Sequence, residues 1–243
     1  DPFGRDLSDH WLQLEKSPKW LRVVLAGTTV AESKRALLLR EAGCLPVYYF
    51  PGDDLRFELF VPGKKSSACP FKGVASFWSL RIGERSAEDA AWSYADPNPE
   101  CAGLKDHFAF EWNKMDHWYE EEEEIFVHPR DPYKRIDVIQ SSRHVRVEAA
   151  GETVADSRRP TLLFETNHPV RYYLPMEDVR SPLLQPSPTK SRCPYKGIAS
   201  YWSAKVGEQL LPDLAWSYLE PLPECYKIRG LICFFQERET KLY

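Results

Sequence analysis

The sequence predicts a mainly β protein built from two similar compact β domains, each with one short helix. Two observations lead to this prediction. First, the chain repeats itself, because residues 69–79 and 193–203 are nearly identical at an offset of 124 positions, and the same offset aligns 91–94 with 215–218. Second, the segments between turns rich in Pro, Gly and Asn are short, and apolar and polar residues alternate in them as in half-buried strands.

The repeat divides the chain into a first domain at residues 1–122 and a second at 123–243. The two copies align without a gap from Arg22 and Arg146 onward. The acidic run at 120–124 marks the boundary, because five adjacent carboxylates repel one another and stay hydrated. We therefore interpret the run as a solvated turn or linker.

The second copy shows the predicted elements most clearly. Alternating or apolar segments predict strands at 144–149, 153–157, 161–165, 170–174, 196–206, 214–218 and 228–236. Pro175 followed by two acidic residues predicts the start of a short helix at 175–180. The Pro- and Ser-rich residues 186–192 predict a loop. These elements fit either a barrel or two packed sheets.

Composition and cysteine spacing exclude several classes of function. The formal net charge is −4, so the chain offers no broad basic surface for nucleic acid. No apolar run is long enough to cross a bilayer. The six cysteines lack the spacing of a zinc site, and no nucleotide-binding glycine motif occurs, so we expect no metal and no cofactor. Free thiols favour a cytoplasmic protein.

Three motifs carry a resemblance to a known family. The segments Cys-Pro-(Phe/Tyr)-Lys-Gly-x-Ala-Ser-(Phe/Tyr)-Trp-Ser, Ala-Trp-Ser-Tyr-x-x-Pro-x-Pro-Glu-Cys and Tyr-Tyr-(Phe/Leu)-Pro each occur twice, in the same order. They resemble the domain of unknown function family 427 in its two-copy form, over nearly the whole chain. The resemblance implies a half-open barrel or β-tent fold and no established activity. The family has also been labelled a nucleotidyltransferase, but this chain has no Gly-Ser followed by an Asp-x-Asp pair, so it lacks the carboxylates that would hold two metal ions.

Strand alternation predicts a pocket lined by one face of the strand after Cys193. Lys196, Ser200 and Trp202 are separated by even numbers of residues, so an unbroken strand places them on one face. The first copy repeats this set as Lys72, Ser76 and Trp78. A partly desolvated lysine at the mouth of such a pocket can bind an anion, act as a base or form a Schiff base. The alternative is a surface lysine that extends from the end of a strand into water.

Two further pairs of residues are candidates for the same pocket. Trp216 and Tyr218 alternate along a second strand and are expected to form one wall, unless they belong to an ordinary aromatic core. His128 and Arg130 lie in a loop fixed by prolines and are expected at the rim, as an acid or base and as an anion clamp. The alternative for this loop is a structural linker in which Arg130 pairs with Asp131.

These patterns favour a small-molecule-binding protein or enzyme, with one aromatic-lined pocket per domain and a lysine at its mouth. The expected ligand is a small polar or anionic molecule, and neither nucleic acid nor a membrane is expected as a partner. The alternative is a non-enzymatic protein-interaction module built from duplicated β domains. We expect Lys196→Ala to weaken ligand binding while leaving thermal stability nearly unchanged.

Overall fold

The computed structural model describes residues 10–238 and 240–242. The structure is 59% strand and 12% helical, so the predicted mainly β class is confirmed. Neither large sheet of the described residues closes into a barrel, and the half-open, tent-like description fits them. No helix in this part of the chain is long and apolar enough to span a membrane. Residues 1–9, where the predicted first domain begins, lie outside the described residues.

Contacts divide the chain into two compact units, Asp1–Asp131 and Pro132–Tyr243. The described part of the first unit has eleven strands: β1 (Leu12–Lys16), β2 (Leu21–Leu25), β3 (Thr28–Ser33), β4 (Leu37–Glu41), β5 (Val47–Pro51), β6 (Phe60–Cys69), β7 (Gly73–Ile82), β8 (Arg85–Pro97), β9 (His107–Phe110), β10 (His117–Glu120) and β11 (Glu123–Ile125). Its 3-10 helices are Gly52–Asp54, Phe57–Leu59, Pro99–Leu104 and Trp112–Lys114. The strands form a seven-stranded sheet in the order β1-β4-β5-β9-β8-β7-β6 and a four-stranded sheet in the order β11-β10-β2-β3.

The second unit has ten strands in its described part: β12 (Ile136–Gln140), β13 (Val145–Ala149), β14 (Glu152–Ser157), β15 (Thr161–Glu165), β16 (Arg171–Leu174), β17 (Leu184–Cys193), β18 (Gly197–Val206), β19 (Gln209–Pro221), β20 (Ile232–Phe234) and β21 (Thr240–Leu242). Its 3-10 helices are Met176–Asp178, Ser181–Leu183 and Pro223–Ile228. The seven-stranded sheet has the order β12-β15-β16-β20-β19-β18-β17, and the small sheet has the order β14-β13-β21.

The two seven-stranded sheets repeat each other at the offset found in the sequence. Leu12 of β1 lies opposite Glu41 of β4, and Ile136 of β12 lies opposite Glu165 of β15. The gap-free correspondence therefore begins no later than Leu12, ahead of Arg22, where the sequence comparison placed its start.

The division of the chain into units falls after Asp131, whereas the sequence predicted the boundary between residues 122 and 123. The difference arises because β11 pairs back onto β10, with Ile125 opposite Trp118. The acidic run forms the turn of this hairpin at Glu121 and Glu122 and the strand residues on either side of it. Glu120 also bonds Lys19 and accepts a hydrogen bond of 2.7 Å from the Tyr48 hydroxyl, so the run belongs to the first unit.

Three predicted elements of the second copy differ in the structure. The strand predicted at 228–236 is confined to Ile232–Phe234, because Pro223–Ile228 is a 3-10 helix. The predicted loop at 186–192 lies in strand β17, which pairs with β18 through an irregularity between Pro186 and Lys190. β17 is an edge strand, and an edge strand tolerates proline because one row of its N–H groups has no partner strand. The predicted helix at 175–180 is a single 3-10 turn at Met176–Asp178, and a second 3-10 turn follows it at Ser181–Leu183.

Apolar residues cover both faces of each large sheet. In the first unit, Tyr48 belongs to the cluster shared with the small sheet, whereas its neighbour Tyr49 belongs to a second cluster on the opposite face. In the second unit, Leu174 and Tyr173 divide in the same way. The apolar clusters on the face of Tyr49 and Tyr173 include residues of the first strand and of the six-residue 3-10 helix of each unit. The candidate site lies on this face, which we call the open face because a pocket opens on it in the first unit.

Candidate functional site

An ion pair between Lys72 and Glu41 lies at one end of the open face in the first unit. Glu41 is the last residue of β4, and Lys72 lies in the turn before β7. Both side chains are nearly buried, with 12% and 11% of their surface exposed. His10 Nε2 lies 3.4 Å from the other carboxylate oxygen of Glu41, and the His10 ring stacks on Phe71. The pair therefore joins two segments that are 31 residues apart in sequence.

The second unit repeats this ion pair and adds a second lysine. Lys196 bonds Glu165, and Lys134, the residue equivalent to His10, lies 2.8 Å from the same carboxylate. The Lys134 ammonium also lies 4.9 Å from the centre of the Tyr195 ring. Each copy therefore holds a buried glutamate with a lysine from the start of the long hairpin, and a basic side chain that precedes the first strand.

The structure does not bring Lys196 together with Ser200 and Trp202. Gly197, which follows the lysine, has φ = +98°, a conformation that side chains disfavour, and the pairing with β19 is irregular between Gly197 and Ala199. The backbone therefore rotates at the strand start, and the alternation cannot be extended back to the lysine. Lys196 contacts the open face, whereas Ser200 and Trp202 belong to the other face of β18.

Ser200 and Trp202 have other partners on their own face. Ser200 accepts a hydrogen bond of 2.5 Å from Lys190, and Trp202 Nε1 donates to Ser217 at 3.1 Å while its ring packs on the core next to the small sheet. The first copy repeats this division. There Ser76 is exposed and Trp78 packs against the equivalent core.

The aromatic pair on the second strand lies on the open face in both copies. Trp216 lies opposite Tyr201 and Tyr218 lies opposite Ala199, in the same apolar cluster as Tyr173. Trp216 Nε1 donates a hydrogen bond of 3.1 Å to the Tyr173 hydroxyl. The first copy makes the same contact from Trp92 to Tyr49 at 3.1 Å.

In the first unit these aromatic residues surround a pocket of about 300 Å³. Its aromatic walls are Tyr49, Phe77, Trp92 and Tyr94. Its charged residues are Lys72 and two carboxylates, Glu41 and Glu111. The pocket therefore combines an apolar interior with a buried ion pair and a separate acidic group.

In the second unit residues of the chain itself fill the equivalent space. Phe235 replaces Glu111, and its ring lies 4.5 Å from the ring of Trp216 and stacks on Tyr201. The guanidinium of Arg171, which replaces Val47, lies 5.5 Å from the Trp216 ring. Trp216 is consequently only 8% exposed, whereas Trp92 is half-buried.

Burial and the ion pairs set the protonation of the ionisable groups. Burial disfavours the Lys72 ammonium, but the hydrogen bond and charge of Glu41 outweigh it and raise the pKa of Lys72. Burial raises the pKa of Tyr94 to about 12 and also raises the pKa of Cys101. At neutral pH Lys72 is therefore charged, while Tyr94 and Cys101 are neutral.

The second unit follows the same rule. Burial disfavours the Glu165 carboxylate, but hydrogen bonds and charge from Lys134 and Lys196 outweigh it and lower the pKa of Glu165. Burial raises the pKa of Cys225 to about 11, so its thiol is protonated at neutral pH. All six cysteines are free thiols.

His128 and Arg130 are not among the residues that line the first-unit pocket. Both belong to the end of the first unit. His128 Nδ1 lies 2.6 Å from the carbonyl oxygen of Pro129. Asp131, which the sequence suggested as a partner of Arg130, lies 2.8 Å from Arg40 Nε.

A larger and more open groove of about 870 Å³ was not predicted from the sequence. It lies beside β3, where Asp54 accepts a hydrogen bond of 2.6 Å from Ser33 and also bonds Arg35. These groups satisfy one another, and the second copy repeats both contacts with Ser157, Arg159 and Asp178. The Ser-x-Arg pattern, which occurs in both copies, is the feature of the sequence from which these contacts could have been predicted. We interpret it as a structural tie between β3 and the 3-10 helix.

No group of three or more metal-ligating side chains occurs among residues 10–238. The site is therefore defined by an aromatic pocket and an ion pair on a duplicated, half-open β unit.

The chain belongs to the family described as a domain of unknown function, DUF427, which matches it twice, at residues 13–121 and 137–243. The two matches confirm the tandem arrangement predicted from the motifs. A comparison with curated proteins finds no match.

Proposed function

We propose that the chain is a small-molecule-binding protein whose binding site is the aromatic pocket of the first unit, with Lys72 and Glu41 at its polar end. The observation that carries the proposal is the cavity of about 300 Å³ beside half-buried Trp92. Ligand pockets of folded proteins begin at about this size and are mostly apolar with a few polar groups. The equivalent position in the second unit is filled, which supports a single binding site in the first.

The polar end of the pocket supports orientation of a polar ligand. An ammonium carries three donors and a carboxylate accepts several hydrogen bonds, so Lys72 and Glu41 keep bonding capacity beyond their own contact. The aromatic walls supply the apolar contact area that a flat molecule needs. Together these groups favour a small molecule with one apolar ring and one polar end.

The protonation states support binding rather than nucleophilic catalysis. A Schiff base or a general base requires a neutral amine, whereas the raised pKa of Lys72 keeps it charged. The raised pKa of Cys101 likewise keeps its thiol protonated, and a thiol is a poor nucleophile. We also propose a cytoplasmic location, which the free thiols support.

The proposal is tested by titrating the protein with 2-phenylethanol and following the tryptophan indole N–H signals by NMR. Trp92→Phe identifies the signal of Trp92. We expect a saturable shift of that signal with a Kd of about 1 mM, the range for a ligand of this size.

Two matched variants locate the binding. Ala75 is buried and lines the pocket, so Ala75→Leu fills it and weakens binding at least about tenfold. Ser76 is the exposed neighbour on the other face of β7, so Ser76→Leu leaves binding unchanged. If 2-phenylethanol does not shift the Trp92 signal, or if Ala75→Leu binds as well as the wild type, the proposed function is wrong.

A further inference from the structure

We propose that the pocket of the first unit selects a planar aromatic molecule that carries a positive charge. The inference rests on the proposed binding function and adds the chemical class of the ligand. It follows from comparing the two copies, because one of them carries the occupant within its own sequence.

The second unit shows which groups these walls accommodate. The ring of Phe235 lies against Trp216 with centroids 4.5 Å apart and stacks on Tyr201 at 6.4 Å. Two guanidinium groups lie beside this ring system: that of Arg238 is 4.0 Å from the Phe235 ring, and that of Arg171, which is paired with Glu237, is 5.5 Å from Trp216. The occupant of the second unit is thus an aromatic ring in cation–π contact with Arg238, beside the ion pair of Arg171 and Glu237.

The first unit keeps the walls and lacks the occupant. Trp92 corresponds to Trp216 and makes the same hydrogen bond to a tyrosine. At the offset of 124, however, Glu111 stands in place of Phe235 and Val47 in place of Arg171. The ring and the guanidinium over the indole are therefore both missing, and a carboxylate lines the space instead.

The charges around the pocket favour a cation over the anion expected from the sequence. Lys72 is already paired with Glu41, so it brings no net charge to the pocket. Among the described residues the structure records no ion pair for Glu111. Of the two other nearby lysines, exposed Lys65 places Nζ 4.1 Å from the ring of the wall residue Phe77, and Lys114 Nζ donates to two backbone carbonyls.

A cationic aromatic ligand satisfies both vacant positions. Its ring takes the position of Phe235 against Trp92, and its charge meets the Glu111 carboxylate or the face of the indole, where cations are favoured. An anion of the same shape would meet the Glu111 carboxylate as a like charge.

The experiment compares three probes of one shape: phenethylamine, 2-phenylethanol and 3-phenylpropionate. Their Kd values are measured on the full chain from the Trp92 indole signal. We expect phenethylamine to bind about tenfold tighter than 3-phenylpropionate, the difference that one partly buried charge contact makes. 2-Phenylethanol is expected between them.

Three variants assign the preference to Glu111. Glu111→Gln keeps the size of the side chain, and it should reduce the preference for the cation to about twofold or less while 2-phenylethanol binds as before. Glu111→Phe rebuilds the occupant of the second unit and should abolish binding of all three probes. The control is Glu84→Gln, which removes an exposed carboxylate at the far turn of the β7–β8 hairpin and should leave the preference intact.

The outcomes separate the two proposals. If 2-phenylethanol binds but the amine has no advantage over the carboxylate, or if Glu111→Gln keeps the full preference, the inference of a cationic ligand is wrong and the binding function stands. If none of the probes binds the wild type, both proposals are wrong.

Discussion

Removal of the Lys72 ammonium tests the energetic role of the ion pair. Lys72→Met keeps most of the side-chain volume but leaves the Glu41 carboxylate, which is 11% exposed, with His10 at 3.4 Å as its one remaining ion-pair partner among the described residues. Loss of one partner from a buried pair costs about 3–5 kcal/mol because the remaining charge stays desolvated. The exposure that remains here places the expected cost near 3 kcal/mol, or about 10 °C in Tm for a unit of this size.

The cost is measured by urea unfolding followed by circular dichroism. Lys64→Met is the control, because Lys64 is an exposed lysine of the neighbouring strand β6 and its loss should cost less than about 0.5 kcal/mol. The double variant Lys72→Met with Glu41→Leu replaces both charges by apolar groups and should recover most of the loss. If Lys72→Met is no more harmful than Lys64→Met, or if the double variant recovers nothing, the reasoning about a buried pair is refuted.

Three further predictions concern the second unit and the cysteines. Because the pKa of Glu165 is lowered, its ion pair stabilises the fold at pH values above the ordinary pKa of 4.5, and this stabilisation is lost as the pH falls. Glu165→Gln should therefore reduce the dependence of the unfolding free energy on pH, measured by urea unfolding in the acid range. An unchanged pH dependence would contradict this. Gly197→Ala should lower the unfolding free energy by about 2 kcal/mol in the same assay, because φ is +98° and the new Cβ would lie 3.1 Å from the carbonyl oxygen of Glu220. An unchanged unfolding free energy would exclude this strain. Exposed Cys44 should react with iodoacetamide at neutral pH well before buried Cys225, whose thiol has a pKa of about 11, and equal rates measured by peptide mass spectrometry would contradict the described burial.

The sequence predicted the duplication and the β class because both depend on local patterns. Identical motifs at one offset reveal a repeat without any knowledge of the fold. Alternation likewise placed Ser200 and Trp202 on one face of β18 and assigned Trp216 and Tyr218 to one face of β19.

The position of Lys196 could not be predicted by the same rule. Period-two alternation holds only within a continuous strand, and the positive φ of Gly197 ends that continuity one residue after the lysine. Its partner Glu165 is 31 residues away, and only the order of strands in the sheet brings the two together. The sequence alone predicted that loss of Lys196 would be nearly neutral for stability, whereas the buried pair predicts a cost.

The sequence shows that Glu111 and Phe235 occupy equivalent positions, but it does not show the structural consequence of this difference. Aligned at the offset of 124, these two residues are one difference among many between the copies. Only the ring contact of Phe235 with Trp216 shows that this position decides whether the pocket is filled. The edge strand β17 was missed for a related reason, since its prolines indicate a loop unless its place at the sheet edge is known.

The most direct test of the account is a crystal structure of the protein grown with phenethylamine. We predict the phenyl ring against the indole of Trp92 and the ammonium within hydrogen-bond distance of Glu111, with Phe235 still in place against Trp216 in the second unit. A ligand found only outside the pocket, or bound in the first unit with its ammonium directed away from Glu111, would contradict the account.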